Sequence, residues 1–301
     1  MNNNKQVFSG ILLTAASAIG FGLLPFFTSF AKNAGMNTWD CLAGRYLGSA
    51  LVMLLIIRGH RQSLKIAKEA AIKIIIIGIF AFGITSAFLL LGYMHAPTGK
   101  VTAIHFLYPS IVMLFSIAAK KEKATIFSII ATIISLIALF MITAPSSASE
   151  KMDAFGFLFS ACSSISFAAY VLSLDTPLIK SINNNVLVFY LSLSSGLFFL
   201  AAAVICASVS VHPPITSSAI LPMLGMITLS SALPACFFSL GTRKLGAPAS
   251  SILSMLEPVT AAIFGAIFLD EALSGMFVIG LVLIIAAGAC ISFSRMHRSN
   301  Q

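Results

Sequence analysis

The sequence predicts an all-α polytopic membrane protein. Two observations predict it: a composition with too little charge to cover a soluble surface, and a chain filled with uncharged apolar runs of bilayer length. Of 301 residues, 9% are charged and 58% are apolar, against roughly 25% and 45–50% in an ordinary globular protein. The apolar excess runs through the whole chain, which excludes a disordered protein and a soluble enzyme with a single anchor. A net charge of +9 would suggest a nucleic-acid partner in a soluble domain. Here the basic residues sit between the apolar runs, so no nucleic acid is expected. Cys41, Cys162, Cys206, Cys236 and Cys290 lie within or at the start of apolar segments without a CxxC pair, and read as small core residues.

A helix crosses the hydrocarbon with about 20 residues, and ten runs qualify. The first, 7–31, is too long for a signal-peptide core and follows only Lys5, so it stays as a helix. The second, 38–57, carries Asp40 and Arg45. The third to fifth, 72–93, 99–119 and 124–143, are purely apolar over most of their length. A polar stretch, APSSASEKMD from Ala144 to Asp153, precedes the sixth and seventh at 154–174 and 186–207. The eighth, 218–241, is interrupted by Pro222 and Pro234; the ninth and tenth are 247–269 and 273–293. The connections are short, so no separate water-soluble domain is expected.

Short cytoplasmic loops collect Lys and Arg, which predicts the orientation. With the amino terminus inside, Lys5, Arg58, Arg61, Lys65, Lys68, Lys73, Lys120, Lys121, Lys123, Lys180, Arg243, Lys244, Arg295 and Arg298 fall on the inner side. Only Lys32, Lys100 and Lys151 fall outside, and Arg45 lies within a span. Ten spans with both termini cytoplasmic, in a plasma or inner membrane, preserve this alternation.

The chain also repeats itself. GILLTAASAIGF at Gly10–Phe21 matches GFLFSACSSISF at Gly156–Phe167 at six of twelve positions. LYP at Leu107–Pro109 answers LEP at Leu256–Pro258, an offset of 149 that also sets Glu122 opposite Glu271. The expected organisation is a five-helix repeat over 1–146 and a second over 147–301. Five is odd, so the second repeat would enter the membrane inverted, a plan that secondary transporters use to expose a central site to alternate sides.

LGAPASSILSMLEPVTAAIFGAIFLDEALSGMFVIGLVLIIAAG, from Leu245 to Gly288, resembles the signature of the last two helices of the EamA-type branch of the drug/metabolite transporter superfamily. Its marks are the Ala-Pro entry, the Glu257-Pro258 pair, the Leu-Asp-Glu turn at 269–271 and glycines at 280 and 288. The first half carries a weaker copy. The resemblance implies a ten-helix exporter or permease of small metabolites with a cavity between the halves. Ala131 and Leu139 stand where the second half has Gly280 and Gly288, which predicts looser packing of the fifth helix.

Glu257 is the most informative position. A carboxylate near the middle of a span costs about 2.5–3.5 kcal/mol on insertion scales, so it is expected to pair, to hold a proton, or to capture a cationic substrate group. Alternatively it bonds a neighbouring helix or the backbone freed by Pro258. Tyr108 occupies the matching place in the first half, with His105 three residues before it; both, with Ser254, are candidates for substrate binding or coupling. Pro109 and Pro258 fall near the centres of their helices, where they would kink the helix and line the cavity. Arg45 has three readings: contact with a substrate carboxylate, a pair with Glu257, or snorkelling to the interface. Phe21, Phe26, Phe82, Phe88 and Phe106 are candidates for an aromatic wall, with core or lipid contact as their ordinary role. Glu122, Asp270 and Glu271 lie at span ends and are expected to close turns.

No metal-ligand spacing, Walker A string or nucleophile elbow occurs, so no cofactor, metal or catalytic residue is expected. The reading is a secondary transporter of small organic metabolites such as amino acids, with lipid and a small-molecule substrate as partners and protons as a coupling ion through Glu257. Multidrug or organic-cation efflux is the alternative. An intramembrane enzyme and a transport-inactive sensor are further ones. Oligomeric state is open.

Overall fold

The computed structural model describes residues 3–96, 98–119, 125–143, 153–207, 216–268 and 275–299, and among them every regular element is helical. The first half contains α1 (Asn3–Gly22), α2 (Leu24–Asn33), α3 (Thr38–Gly59), α4 (Lys68–Ile77), α5 (Ile84–His95), α6 (Thr98–His105), α7 (Tyr108–Ala118) and α8 (Ile126–Thr143). The second contains α9 (Ala154–Leu174), α10 (Pro177–Lys180), α11 (Asn184–Ala207), α12 (Ile220–Ile227), α13 (Leu233–Leu245), α14 (Ala247–Leu253), α15 (Leu256–Phe268) and α16 (Gly275–Ser299). Eight stretches are long and apolar enough to cross a bilayer, several formed by two consecutive helices. Two further helices contribute shorter apolar stretches, Ile129–Met141 and Val278–Ala287. The chain is a multi-pass membrane protein.

The sequence explains where the rods break. Pro25 follows the interruption at Leu23, and a proline tolerates only the start of a helix, where its missing N–H is not needed. Pro109 and Pro258 likewise stand in the first turns of α7 and α15, after turns at 106–107 and 254–255. The expected kinks are therefore full breaks. By contrast, α3 runs unbroken through Asp40 and Arg45. Asn37 caps it by accepting from the Asp40 backbone N–H at 2.9 Å. The Ser217–Leu245 stretch contains a π-helical turn, Thr228–Ala232, and its counterpart in the Lys68–His95 stretch is a π-helical turn at Gly78–Gly83.

The most extensive helix pairings all join one half to the other: α3 with α11, α8 with α16, α1 with α13, and α5 with α9. Exchanging the halves maps this set onto itself. The correspondence reaches individual atoms. Thr14 Oγ1 donates to the Gly10 carbonyl at 3.0 Å and abuts Gly241; Ser160 Oγ donates to the Gly156 carbonyl at 2.6 Å and abuts Gly92. Gly10 and Gly156 each lack the Cβ that would stand 2.8 Å from a neighbour, Leu245 in one case and Ala96 in the other. Small residues thus let helices from opposite halves approach closely, as they do generally in membranes.

The expectation of loose packing at α8 is overturned. Ala131 and Leu139 are both essentially fully buried, as are Ile284 and Ala287 on α16, and α8–α16 is among the largest contacts in the molecule. Alanine and leucine fill against these aliphatic side chains what glycine would leave open. Glu122, Asp270, Glu271 and residues 144–152 of the polar stretch between the halves lie outside the described residues.

Candidate functional site

Two faces of the bundle can be distinguished by the contacts at helix ends. On the near face, Lys244 Nζ donates to Ser9 Oγ at 3.1 Å, Asn185 Nδ2 to Gln62 Oε1 at 3.1 Å, and Arg243 Nη1 to the Ile182 carbonyl at 2.9 Å. Gly246, at φ 81°, turns the chain sharply between α13 and α14 and brings the Ala247 N–H to 3.4 Å from Asp175 Oδ2. On the far face, His95 Nδ1 lies 3.0 Å from Asp153 Oδ2, and the Thr216 N–H donates to the Ala34 carbonyl at 3.1 Å. Asp153 also accepts from the Gly156 N–H at 2.7 Å. That bond first, and His95 second, hold its carboxyl below the ordinary carboxylate range.

The bundle is shut toward the near face and parted toward the far one. The half-helices α7 and α14 pack together, and Tyr108 Oη and Ser254 Oγ share a hydrogen bond at 2.5 Å across that contact. Their counterparts α15 and α6 have no comparable packing among the described residues. Rings seal the near side. Tyr108 meets Phe167 edge-on at 4.6 Å between centroids, Phe167 reaches Tyr170 at 5.5 Å, and Tyr170 meets Phe82 at 4.7 Å. Tyr108 and Tyr170 are fully buried.

Glu257 stands at the edge of the parted region. It opens α15, immediately after the break, and Gly22 presses against its carbonyl oxygen so closely that a Cβ would stand 2.6 Å away. The residue is partly exposed. Its side chain makes no hydrogen bond or ion pair among the described residues, yet Arg45, Tyr93 and Tyr108 all lie within range of its charge. Tyr93 is 42% exposed on the far side, and its hydroxyl lies 3.4 Å from Thr102 Oγ1.

Arg45 is 95% buried, which removes the snorkelling reading. Its guanidinium lies over the Tyr46 ring, 4.4 Å from the centroid, and Nη2 donates to Tyr46 Oη at 2.6 Å and to Ser86 Oγ at 3.5 Å. No ion pair with Glu257 forms, and Nε has no partner. His105 is buried and bonded to Ser163 Oγ at 3.1 Å. Ser254 holds its own helix through the Ser250 and Ser251 carbonyls.

Glu257 and Arg45 thus lie within range of each other's charge, and Tyr108, His105 and Ser254 form a packed floor beside them. Pro109 and Pro258 are buried, so their rings do not line an open surface; they create the breaks that end the floor. Of the phenylalanines, Phe82 and Phe106 are buried, Phe26 packs with Phe264 and Phe268, and Phe88 stacks with Phe159. Tyr93, Tyr46 and Ser86 are site residues that sequence reasoning passes over, because nothing in a local apolar pattern marks a tyrosine or serine as facing inward.

Comparison with known proteins agrees with this architecture. A solved crystal structure superposes with a TM-score of 0.82 over 96% of this chain and 98% of that one, at 15% identity. The uncharacterised inner membrane transporter YicL of Salmonella typhimurium strain LT2 is 24% identical over 256 residues, covering 84% of each chain. The model of the EamA-like transporter family matches twice, at residues 8–144 and 154–293, so this chain belongs to the EamA-like transporter family and is built from two copies of its repeat.

Proposed function

We propose that the protein is a secondary transporter of small zwitterionic metabolites, such as amino acids, working by alternating access between two inverted five-helix repeats. The observation that carries this reading is the pair of opposite charges at one hollow that do not neutralise each other. Arg45 is buried and its Nε has no partner, and the Glu257 side chain has no hydrogen-bond or ion-pair partner among the described residues. A carboxylate without a cation at this depth is costly. It therefore holds either a cationic group of the substrate or a proton, which couples transport to a proton gradient. Arg45 takes the substrate carboxylate, already oriented by the Tyr46 ring and hydroxyl.

Inversion of the halves is supported by the pairings. Ser9, Gly10, Thr14 and Ser17 meet Lys244, Leu245, Gly241 and Pro234 in reverse order, and α5 meets α9 in the same antiparallel way. With α8 and α16 as the fifth and tenth spans, alternate helices then reverse and the two repeats face opposite ways. The basic near-face loops make that face cytoplasmic, with both termini there, and the relative's name is consistent with an inner membrane.

The alternative, efflux of organic cations, is disfavoured by Arg45, because a buried guanidinium beside the acid repels a substrate carrying only positive charge. The test is uptake or counterflow in proteoliposomes against a panel of amino acids and, separately, organic cations, with and without a pH gradient. Amino acids are expected to move and Glu257→Gln to abolish the effect of the gradient. Movement of cations alone, or a Glu257→Gln variant with unchanged pH dependence, contradicts the reading.

A further inference from the structure

Resting on that alternating-access reading, we infer that Glu257 and His105 form a hydrogen-bonded pair that seals the far side of the hollow when the protein faces the other way. Several contacts between the halves occur twice, once in each copy. Ser49 Oγ lies 2.7 Å from the Arg45 carbonyl and 3.1 Å from the Ile227 carbonyl at one π-helical turn. Ser195 Oγ lies 2.9 Å from the Leu191 carbonyl and 2.7 Å from the Gly78 carbonyl at the other. The glycine crossings of α1 with α13 and of α9 with α5 repeat in the same manner.

The contact of Tyr108 Oη with Ser254 Oγ, across the closed near side, has no second copy among the described residues. The repeat offset of 149 that pairs Pro109 with Pro258 converts Tyr108 into Glu257 and Ser254 into His105. When the two halves exchange conformations, α6 closes on α15 as α14 now closes on α7, and the tyrosine–serine contact is replaced by an acid–histidine contact. The exchange leaves few groups stranded. His105 leaves Ser163, whose hydroxyl still has the Ser160 carbonyl at 2.8 Å, and Ser254 leaves Tyr108 but keeps the Ser250 and Ser251 carbonyls. Glu257 gains its first direct partner. His105 is thereby a positioning residue that takes the carboxylate from the substrate's cationic group as the far side closes, so that closure and release are one event.

The test uses the full chain in proteoliposomes with its five native cysteines replaced. The pair His105→Cys and Glu257→Cys is treated with a short bifunctional thiosulfonate, with Tyr108→Cys and Ser254→Cys as the control pair. Both pairs are expected to cross-link. In a separate sample, spin labels at Thr102→Cys on α6 and Ile263→Cys on α15 report the width of the far side, and His105→Gln is expected to shift its open-to-closed ratio about tenfold toward open. A 105–257 pair that stays uncross-linked where 108–254 reacts, or a far side indifferent to His105→Gln, overturns the latch. If the far side still opens and closes in that case, the alternating-access reading survives the loss of the latch; a far side of one fixed width contradicts both.

Discussion

A buried guanidinium survives at Arg45 because its neighbours are prepared for it. Tyr46 and Ser86 are 2.8 Å apart through their hydroxyls, so each keeps a partner when the arginine is removed. Arg45→Gln is therefore expected to lower the melting temperature by only a few degrees, about what the loss of 1 kcal/mol produces in a helical domain, while reducing affinity for a carboxylate-bearing substrate at least about tenfold. Thermal unfolding and counterflow on the same preparation separate the two effects; a collapse in stability with intact transport would make Arg45 structural. Asp153 supplies a second test at this scale. Its carboxyl is held below the ordinary value in the folded protein, so its contribution to stability is present above about pH 3.9 and is lost as the pH falls through its depressed value. Asp153→Asn keeps a side chain able to cap α9 but removes the titration, and a melting-temperature profile across that acid range is expected to flatten. An unchanged slope would mean that other carboxylates set the acid limb.

The elements are joined by close approaches that side chains would prevent. Gly241 sits against Thr14 and Gly78 against Ser194, on two helix crossings between the halves. Gly241→Leu is expected to force α1 from α13 and cost about 1–3 kcal/mol, read as a loss of the folded, monodisperse fraction in detergent. Thr14→Ala in the same chain would restore part of it by emptying the contact. A variant as stable as the parent would mean the crossing is looser than it looks. The π-helical turns belong to this scale as well. Each leaves a carbonyl for a serine of the opposite half, and an interhelical bond of this kind is worth about 0.6 kcal/mol in a membrane. That is enough to steady a bend but too little to lock it. Ser49→Ala and Ser195→Ala should accordingly leave the fold intact while changing transport rates. Much of this level was legible from the sequence: proline placed the interruptions at 107 and 255 within three residues, though as kinks and not as breaks, and uncharged length placed the helices. The π turns were not, because TLSSA and GIFAFG carry no residue that distinguishes a π turn from an ordinary one. Arg45's ring partner lies one residue away and still went unread, since neighbours in a helix ordinarily point apart.

At the scale of the molecule, a duplicated plan explains why unlike residues occupy matching places. In the proposed exchange of conformations, asymmetric positions give each state its own character. Glu257 opposite Tyr108, and Lys244 opposite His95, are such positions. The duplication itself was visible in the strings that repeat at Gly10 and Gly156. What no string shows is which of the two conformations that alternating access would require the chain adopts, because both copies encode the same helices. In the present conformation the half-helices meet on the near side and part on the far side. The most direct measurement of the central claim is the distance between spin labels on α6 and α15 at positions 102 and 263, taken in lipid with and without a transported amino acid. Alternating access predicts two distance populations whose proportions change with substrate; a single distance that no substrate or pH gradient alters would contradict it.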